Sequence, residues 1–313
     1  MNKLSIIIPV YWNSDTLEML YEDLQAKVLG KLQEYEIVMV DDGSGDDSWK
    51  VINELKKKDS QIVAVKLSKN FGEHAAILAG LSVCTGDCAV TKQADLQEDS
   101  SLILEMYDKW LAGNKVVLAA RRNRKDSFLT KLFAGMYYKL VRKYINPAMP
   151  EGGCDCYLLD RQVIGTLLEM DEMNSSLTLQ VLWVGYKSDI VYFDRQDRKA
   201  GKGRWTIAKK VKLVLDSFVS FTYLPIRIMW FVGILFFIFS VVMAISIFIE
   251  YFKYGTPIAG WSSLMCVLLL SSGLILWMLG MLGEYVWRTF DAARNRTPFI
   301  IEEIKDNSDP DIS

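Results

Sequence analysis

The chain has 313 residues, enough for one large domain or two modest ones, and 51% of them are hydrophobic against 24% charged and only 7 prolines. That balance excludes intrinsic disorder and collagen-like or mucin-like repeats. With 36 basic and 38 acidic residues the formal charge is -2, so bulk electrostatics give no case for a nucleic-acid partner. Five scattered cysteines, Cys84, Cys88, Cys154, Cys156 and Cys266, with a single histidine, His74, exclude a disulfide-built module and a Cys/His zinc site, and fit a reducing compartment.

Leu4 to Pro9 is an apolar run ended by Asn13 and Asp15 without a small-residue cleavage site, so it reads as a buried strand and not as a signal peptide. Leu17, Leu20, Leu24 and Val28 then recur at helical spacing. The second run is Glu36 to Val40, followed by Trp49, Ile52 and Leu55 on one helical face. Ile62 to Leu67, Cys88 to Thr91 and Lys115 to Ala119 repeat the theme. Strands alternating with helices predict an α/β domain built on a doubly wound, mostly parallel sheet.

Ligands of such sheets bind beyond the carboxyl ends of the strands, so the residues after each run define the site. They are Pro9-Val-Tyr11, Asp41-Asp42-Gly-Ser44, Ser68-Lys-Asn-Phe-Gly72, Gln93-Ala-Asp95-Leu-Gln97 and Arg121-Arg-Asn-Arg124. Each alone is ordinary turn and capping chemistry. Five on one rim suit a polyanion with a metal. Asp95 and Gln97 offer hard oxygen donors for Mg²⁺ or Mn²⁺ on a diphosphate. Arg121, Arg122 and Arg124 supply phosphate donors. Asp41 is placed to accept the ring N–H of a base on which Tyr11 packs. His74, just after the Asn70-Phe-Gly72 turn, reads as a helix-face residue. No G-x-G-x-x-G and no Walker sequence occurs, which counts against dinucleotide oxidoreductases and P-loop NTPases.

From Ile228 to Ile249 the chain carries no charge, and at ~1.5 Å per residue this is about 33 Å of helix, enough to cross a bilayer. Tyr254 to Gly283 is a second uncharged stretch, joined to the first by the short connector Glu250 to Pro257. Lys209, Lys210, Lys212 and Arg227 precede the pair and Arg288, Arg294 and Arg296 follow it, while the connector holds only Lys253, so both ends are expected in the cytoplasm. The expected organisation is a cytoplasmic α/β domain over 1–205, an amphipathic juxtamembrane segment over 206–227, membrane spans over 228–249 and 257–283, and a cytoplasmic tail over 284–313. The tail's acidic, polar end, Glu302 to Ser313, reads as disordered.

Ser5-Ile-Ile-Ile-Pro-Val-Tyr11, Val40-Asp-Asp-Gly-Ser44, Leu67-Ser-Lys-Asn-Phe-Gly72, Ala94-Asp-Leu-Gln97 and Ala120-Arg-Arg122, followed by two spans, resemble the family 2 glycosyltransferases. Within them the chain is similar to the polyprenyl-phosphate glycosyltransferases, the subgroup of bactoprenol glucosyltransferases and dolichol-phosphate mannose synthases, from Leu4 to about Thr297. The resemblance implies a GT-A fold and transfer of a sugar from a nucleotide sugar, expected to be a UDP-hexose, to a polyprenyl phosphate at the cytoplasmic membrane face. It places Pro9, Tyr11, Asp41, Asp42 and Asp95 on the nucleotide, and Asp95 with Gln97 on the metal and diphosphate. Asp155, first in Asp155-Cys-Tyr-Leu-Leu-Asp160-Arg161, falls at the sugar, and Arg121 joins it as a catalytic residue. The lipid phosphate falls to Arg121, to Lys131 on the apolar-basic stretch Phe128 to Tyr144, and to Arg195, Arg198 and Arg204 of a Gly-containing basic loop. A homo-tetramer is implied as well.

Two positions depart from the family pattern. Gln93 stands where the family has the first Asp of Asp-x-Asp, which leaves one carboxylate there, and Tyr157 replaces an arginine near the sugar. Two other functions compete. A processive polysaccharide synthase shares the N-terminal motifs but should show Gln-x-x-Arg-Trp, and Gly201 precedes Arg204-Trp205 here. A non-catalytic nucleotide-sugar-binding protein is the other; retention of Asp95, Gln97 and Asp155 argues against it.

Overall fold

The computed structural model describes residues 2–122, 128–170, 176–194, 214, 216–254, 260–294 and 296–306. The chain forms two compact units, Met1–Ser217 together with Thr297–Ser313, and Phe218–Arg296.

The first unit is an α/β domain. In chain order it contains β1 (Lys3–Val10), α1 (Ser14–Lys27), β2 (Glu34–Asp41), α2 (Ser48–Lys58), β3 (Ile62–Leu67), α3 (Glu73–Val83), β4 (Cys88–Thr91), α4 (Leu102–Leu111) and β5 (Val116–Arg121). There follow α5 (Phe128–Tyr144), β6 (Cys154–Asp160), α6 (Arg161–Glu169), α7 (Leu177–Trp183), β7 (Ser188–Phe193) and, from the end of the chain, β8 (Ile301–Lys305). All five strands expected from the apolar runs are present, each within a residue or two of its expected bounds.

The strands form one sheet in the order β7-β5-β6-β4-β1-β2-β3-β8. It is mixed. β1 pairs in parallel with β2 and β4, β2 with β3, and β5 with β7, while β6 runs antiparallel to β4 and β5 and β8 antiparallel to β3. Side chains alternate across a strand. Leu4, Ile6, Ile8 and Val10 of β1 therefore share one core cluster with Leu17, Leu20 and Leu24 of α1, Ile52 and Leu55 of α2, and Ile103 and Met106 of α4. Ile7 points the other way, under α3, where a Cβ on Gly80 would come within 2.4 Å of its Cγ2, so glycine sets the closeness of helix and sheet.

The chain's end differs from expectation. Residues 301–305 form a strand instead of a disordered tail. Main-chain bonding explains this, because an edge strand gains its hydrogen bonds whatever its side chains, and charged residues are usual there. Lys66 pairs with Glu302 at 3.1 Å, the Lys305 ammonium lies 5.7 Å over the Trp49 ring, and Ser68 donates its N–H to the Ile300 carbonyl at 3.0 Å. The free edge of β3 is thereby covered.

The second unit holds two long helices, Leu224–Tyr254 and Trp261–Ala293. Both are long and apolar enough to cross a membrane, by length and composition. The first begins inside the segment expected to be juxtamembrane, with Pro225 in its first turn, where a missing N–H costs no helical hydrogen bond.

Candidate active site

The carboxyl ends of β1, β2, β3, β4 and β5 bring the expected clusters to one rim. Pro9 is buried in β1 and Tyr11, just beyond it, is exposed. Asp41 ends β2 and is 1% exposed. Its Oδ1 accepts the Ser44 N–H at 3.2 Å, whereas its Oδ2 is buried without a hydrogen-bond partner among the described residues. Burial pushes the Asp41 carboxyl above its ordinary range. A buried acceptor with no donor is costly, and a ligand N–H is the group that would satisfy it.

Asp42 has another role. Its Oδ1 takes the Phe71 N–H at 2.7 Å, and its Oδ2 takes the Gly72 N–H and the Asn70 side-chain amide, both at 2.9 Å. It organises the Asn70–Gly72 loop, with two main-chain donors and an amide on its carboxylate. Burial raises its pKa to about 6, against the pull of those N–H donors. Gly43, between this residue and Ser44, has φ +65°, and a Cβ there would stand 2.5 Å from the Lys69 carbonyl carbon. Only glycine lets the two loops meet.

The loop after β4 carries the oxygen donors. Asp95 and Gln97 are half-buried, and Asp95 Oδ1 accepts the Gln97 N–H at 3.2 Å. Between them Leu96 is buried with φ 56°, a left-handed conformation rare for a leucine. Such an outlier persists where its surroundings over-determine it. Here the buried Lys92 donates from Nζ to the Glu98 carbonyl at 2.5 Å and lies 3.8 Å from the Glu98 carboxylate, closing the loop at its base. Sequence reading missed this clasp; the sign was a lysine and a glutamate flanking a site motif at a spacing of six.

The remaining expected residues divide. Arg121 ends β5. Asp155 is the second residue of β6, and because β6 is antiparallel, with Cys154 opposite Ala120 and Cys156 opposite Ala119, its backbone reaches the same rim as the end of β5. Reading only the residues after each strand would pass over it. Lys131 lies on α5, whose exposed Phe133 and Met136 fit an apolar face. Arg124 and the basic loop with Arg195, Arg198 and Arg204 lie outside the described residues. Asp160 and Arg161 of the same motif are structural: Asp160 caps α6 through the Gln162 N–H at 3.0 Å, and Arg161 Nε donates to the Gly86 carbonyl at 2.8 Å. Cys154 and Cys156 are buried free thiols of a strand.

Among the described residues no three His, Cys, Asp or Glu side chains gather as a complete metal cage. Asp95 and Gln97 nevertheless fit a hard divalent ion, since Mg²⁺ in particular takes one or two carboxylates and fills its shell with phosphate oxygens and water.

Residues 5–168 match the family model for glycosyl transferase family 2. An uncharacterized glycosyltransferase of Bacillus subtilis, YkcC, is 34% identical over 96% of this chain and 93% of its own length. A prophage bactoprenol glucosyl transferase homolog of Escherichia coli is 32% identical over 97% of this chain and 99% of its own. Among solved structures, glucosyl-3-phosphoglycerate synthase from Mycobacterium tuberculosis, in complex with Mn²⁺, UDP and glucosyl-3-phosphoglycerate, covers 64% of this chain and 73% of that one at 17% identity and a TM-score of 0.43. The strand-end motifs, the GT-A-like mixed sheet and these full-length relatives agree: the chain is a glycosyltransferase and belongs to glycosyl transferase family 2.

Proposed function

We propose that the chain transfers a hexose from a UDP-sugar to a polyprenyl phosphate at the cytoplasmic face of a membrane. Transfer of a sugar to a polyprenyl phosphate is supported by one observation above others: the relatives named bactoprenol glucosyl transferase align with nearly the whole chain, the two apolar helices included. The orphaned Asp41 oxygen, beside exposed Tyr11, supports a nucleotide base at the rim.

In this reading Asp41 accepts the base N–H, Tyr11 packs on the base, and Asp95 with Gln97 holds a divalent cation. Bound there, that cation would neutralise charge on the diphosphate. The acceptor phosphate, largely dianionic at pH 7, needs no protein base. Its oxygen forms the new bond to the anomeric carbon as the bond from that carbon to the diphosphate oxygen breaks, and the electron pair leaves with the nucleoside diphosphate. Asp155 stands at the sugar. Arg121, Lys131 and the basic loop with Arg195, Arg198 and Arg204 position the lipid phosphate, since guanidinium forks bind phosphate with directed hydrogen bonds. Both spans enter the bilayer with the two chain ends in the cytoplasm. The tetramer implied by the resemblance finds no support in the fold or in the relatives.

The test is transfer of radiolabel from UDP-glucose to undecaprenyl phosphate by the purified full-length chain in detergent with Mn²⁺. A labelled lipid from which mild acid frees hexose is the expected product. Turnover of other UDP-hexoses but not UDP-glucose would correct the sugar, and no lipid product from any nucleotide sugar would overturn the reading.

A further inference from the structure

Gln93, where the family has a carboxylate, does not stand alone. Its side-chain amide donates to the Glu73 carboxylate, twenty residues earlier, at the first turn of α3. Chemistry fixes the direction: a carboxylate only accepts, so the amide nitrogen faces it. Among the described residues this is the hydrogen bond that holds Glu73, and Glu73 is exposed. Gln93 follows β4, and the charge of Glu73 raises the pKa of Asp42, just beyond β2, and of buried Tyr157 on β6. Glu73 thus brings its negative charge to both departures from the family pattern, Gln93 and Tyr157.

We propose that Glu73 supplies the second carboxylate of the cation and diphosphate site, with Gln93 holding it in place, so that the two residues together do what a single aspartate at position 93 does elsewhere in the family. An aspartate at 93, one methylene shorter, would turn a second negative charge toward Glu73, and two carboxylates close together repel unless a cation lies between them. Glutamine removes that repulsion and turns the contact into a charge-assisted hydrogen bond that orients Glu73. The count of one carboxylate, read from the 93–97 motif alone, becomes two. A site with two carboxylates and a diphosphate binds Mg²⁺ or Mn²⁺ more tightly than a site with one, because affinity follows ligand charge.

This inference rests on the nucleotide-sugar reading above. Its test is Mn²⁺ binding in the presence of UDP, followed by the paramagnetic resonance of free Mn²⁺, with the full-length chain in detergent. Glu73→Gln should weaken Mn²⁺ by ~10-fold or more, comparably to Asp95→Asn. Gln93→Asp alone should tighten it. The exchange Glu73→Gln/Gln93→Asp, which reverses donor and acceptor, should restore affinity to within ~3-fold of the unmodified chain. Thermal unfolding without metal checks that each variant is folded, and Glu73 is exposed, so none should be lost. If Asp95→Asn weakens Mn²⁺ and Glu73→Gln does not, Glu73 is no ligand and only this inference falls. Loss in Glu73→Gln without recovery in the double variant would overturn the exchange of roles. No UDP-dependent Mn²⁺ binding by the unmodified chain would overturn both this and the underlying reading.

Discussion

β2 carries a buried carboxylate toward each end, and the two ends treat them differently. At the amino end Glu36, 4% exposed, collects donors: Lys3 Nζ at 2.8 Å, Ser5 Oγ at 2.6 Å, the Thr85 N–H at 2.5 Å and hydroxyl at 2.7 Å, and the Gly86 N–H at 3.2 Å. Burial alone would raise its pKa, but the hydrogen bonds from Lys3, Ser5 and Thr85 outweigh it and hold the group at about 2. At the carboxyl end Asp41 keeps an oxygen without a donor and Asp42 sits at about 6. One end of the sheet satisfies its charge and so ties β1, β2 and the turn before β4 together. The other leaves one Asp41 oxygen without a donor among the described residues, at a cost to stability, where the proposed nucleotide would bind.

The sharpest break in this contrast is at the sugar. Asp155→Asn should lower transfer by ~100-fold or more while UDP affinity stays within ~3-fold, because an interaction made mainly in the transition state costs rate and not ground-state binding. Single-turnover rates beside UDP titration check it, and equal losses in both would move Asp155 to the nucleotide.

At the opposite end the effect should fall on the fold. Glu36→Gln leaves Lys3 without its counter-charge and should cost about 3 kcal/mol, read as a lower denaturant midpoint at pH 7. Its depressed pKa means the stability it contributes is present above the unfolded value near ~4.3 and is lost as pH falls toward about 2. Unmodified protein and variant should therefore converge in stability in strong acid.

Asp42 should behave with the opposite sign and a smaller effect. Its pKa is raised to about 6, so its contribution is full below the unfolded value near ~3.9 and is lost as pH rises through 6. Asp42→Asn, which removes the titrating group and keeps one of the two acceptor oxygens, should flatten stability against pH between these limits. An unchanged slope would mean that the Asn70–Gly72 loop does not depend on the charge of residue 42.

Much of this rim is legible in the chain. Apolar runs such as Ile62 to Leu67 mark strands that are buried, and the polar residues that follow lie at the carboxyl edge by the geometry of a parallel sheet. What escapes is whatever runs against that rule. β6, Cys-Asp-Cys-Tyr-Leu-Leu-Asp, is polar at its start because that start is the rim of an antiparallel strand. β8, Ile-Glu-Glu-Ile-Lys, has the composition of a solvated tail because an edge strand shows much of its surface to water. The loop contacts of Asp42 and the contact of Glu73 escape for another reason: their partners, Asn70 to Gly72 and Gln93, are distant in sequence, and only the folded sheet makes them neighbours.

The contrast between the two ends turns on the Asp41 oxygen that lacks a donor, and UDP titration of Asp41→Asn alongside thermal unfolding tests it most directly. An asparagine keeps the acceptor for the Ser44 N–H while removing the buried charge. The expected result is a loss of UDP affinity of ~10-fold or more with stability unchanged or raised. Unaltered UDP affinity, or a fold destabilised as Glu36→Gln destabilises it, would contradict the account.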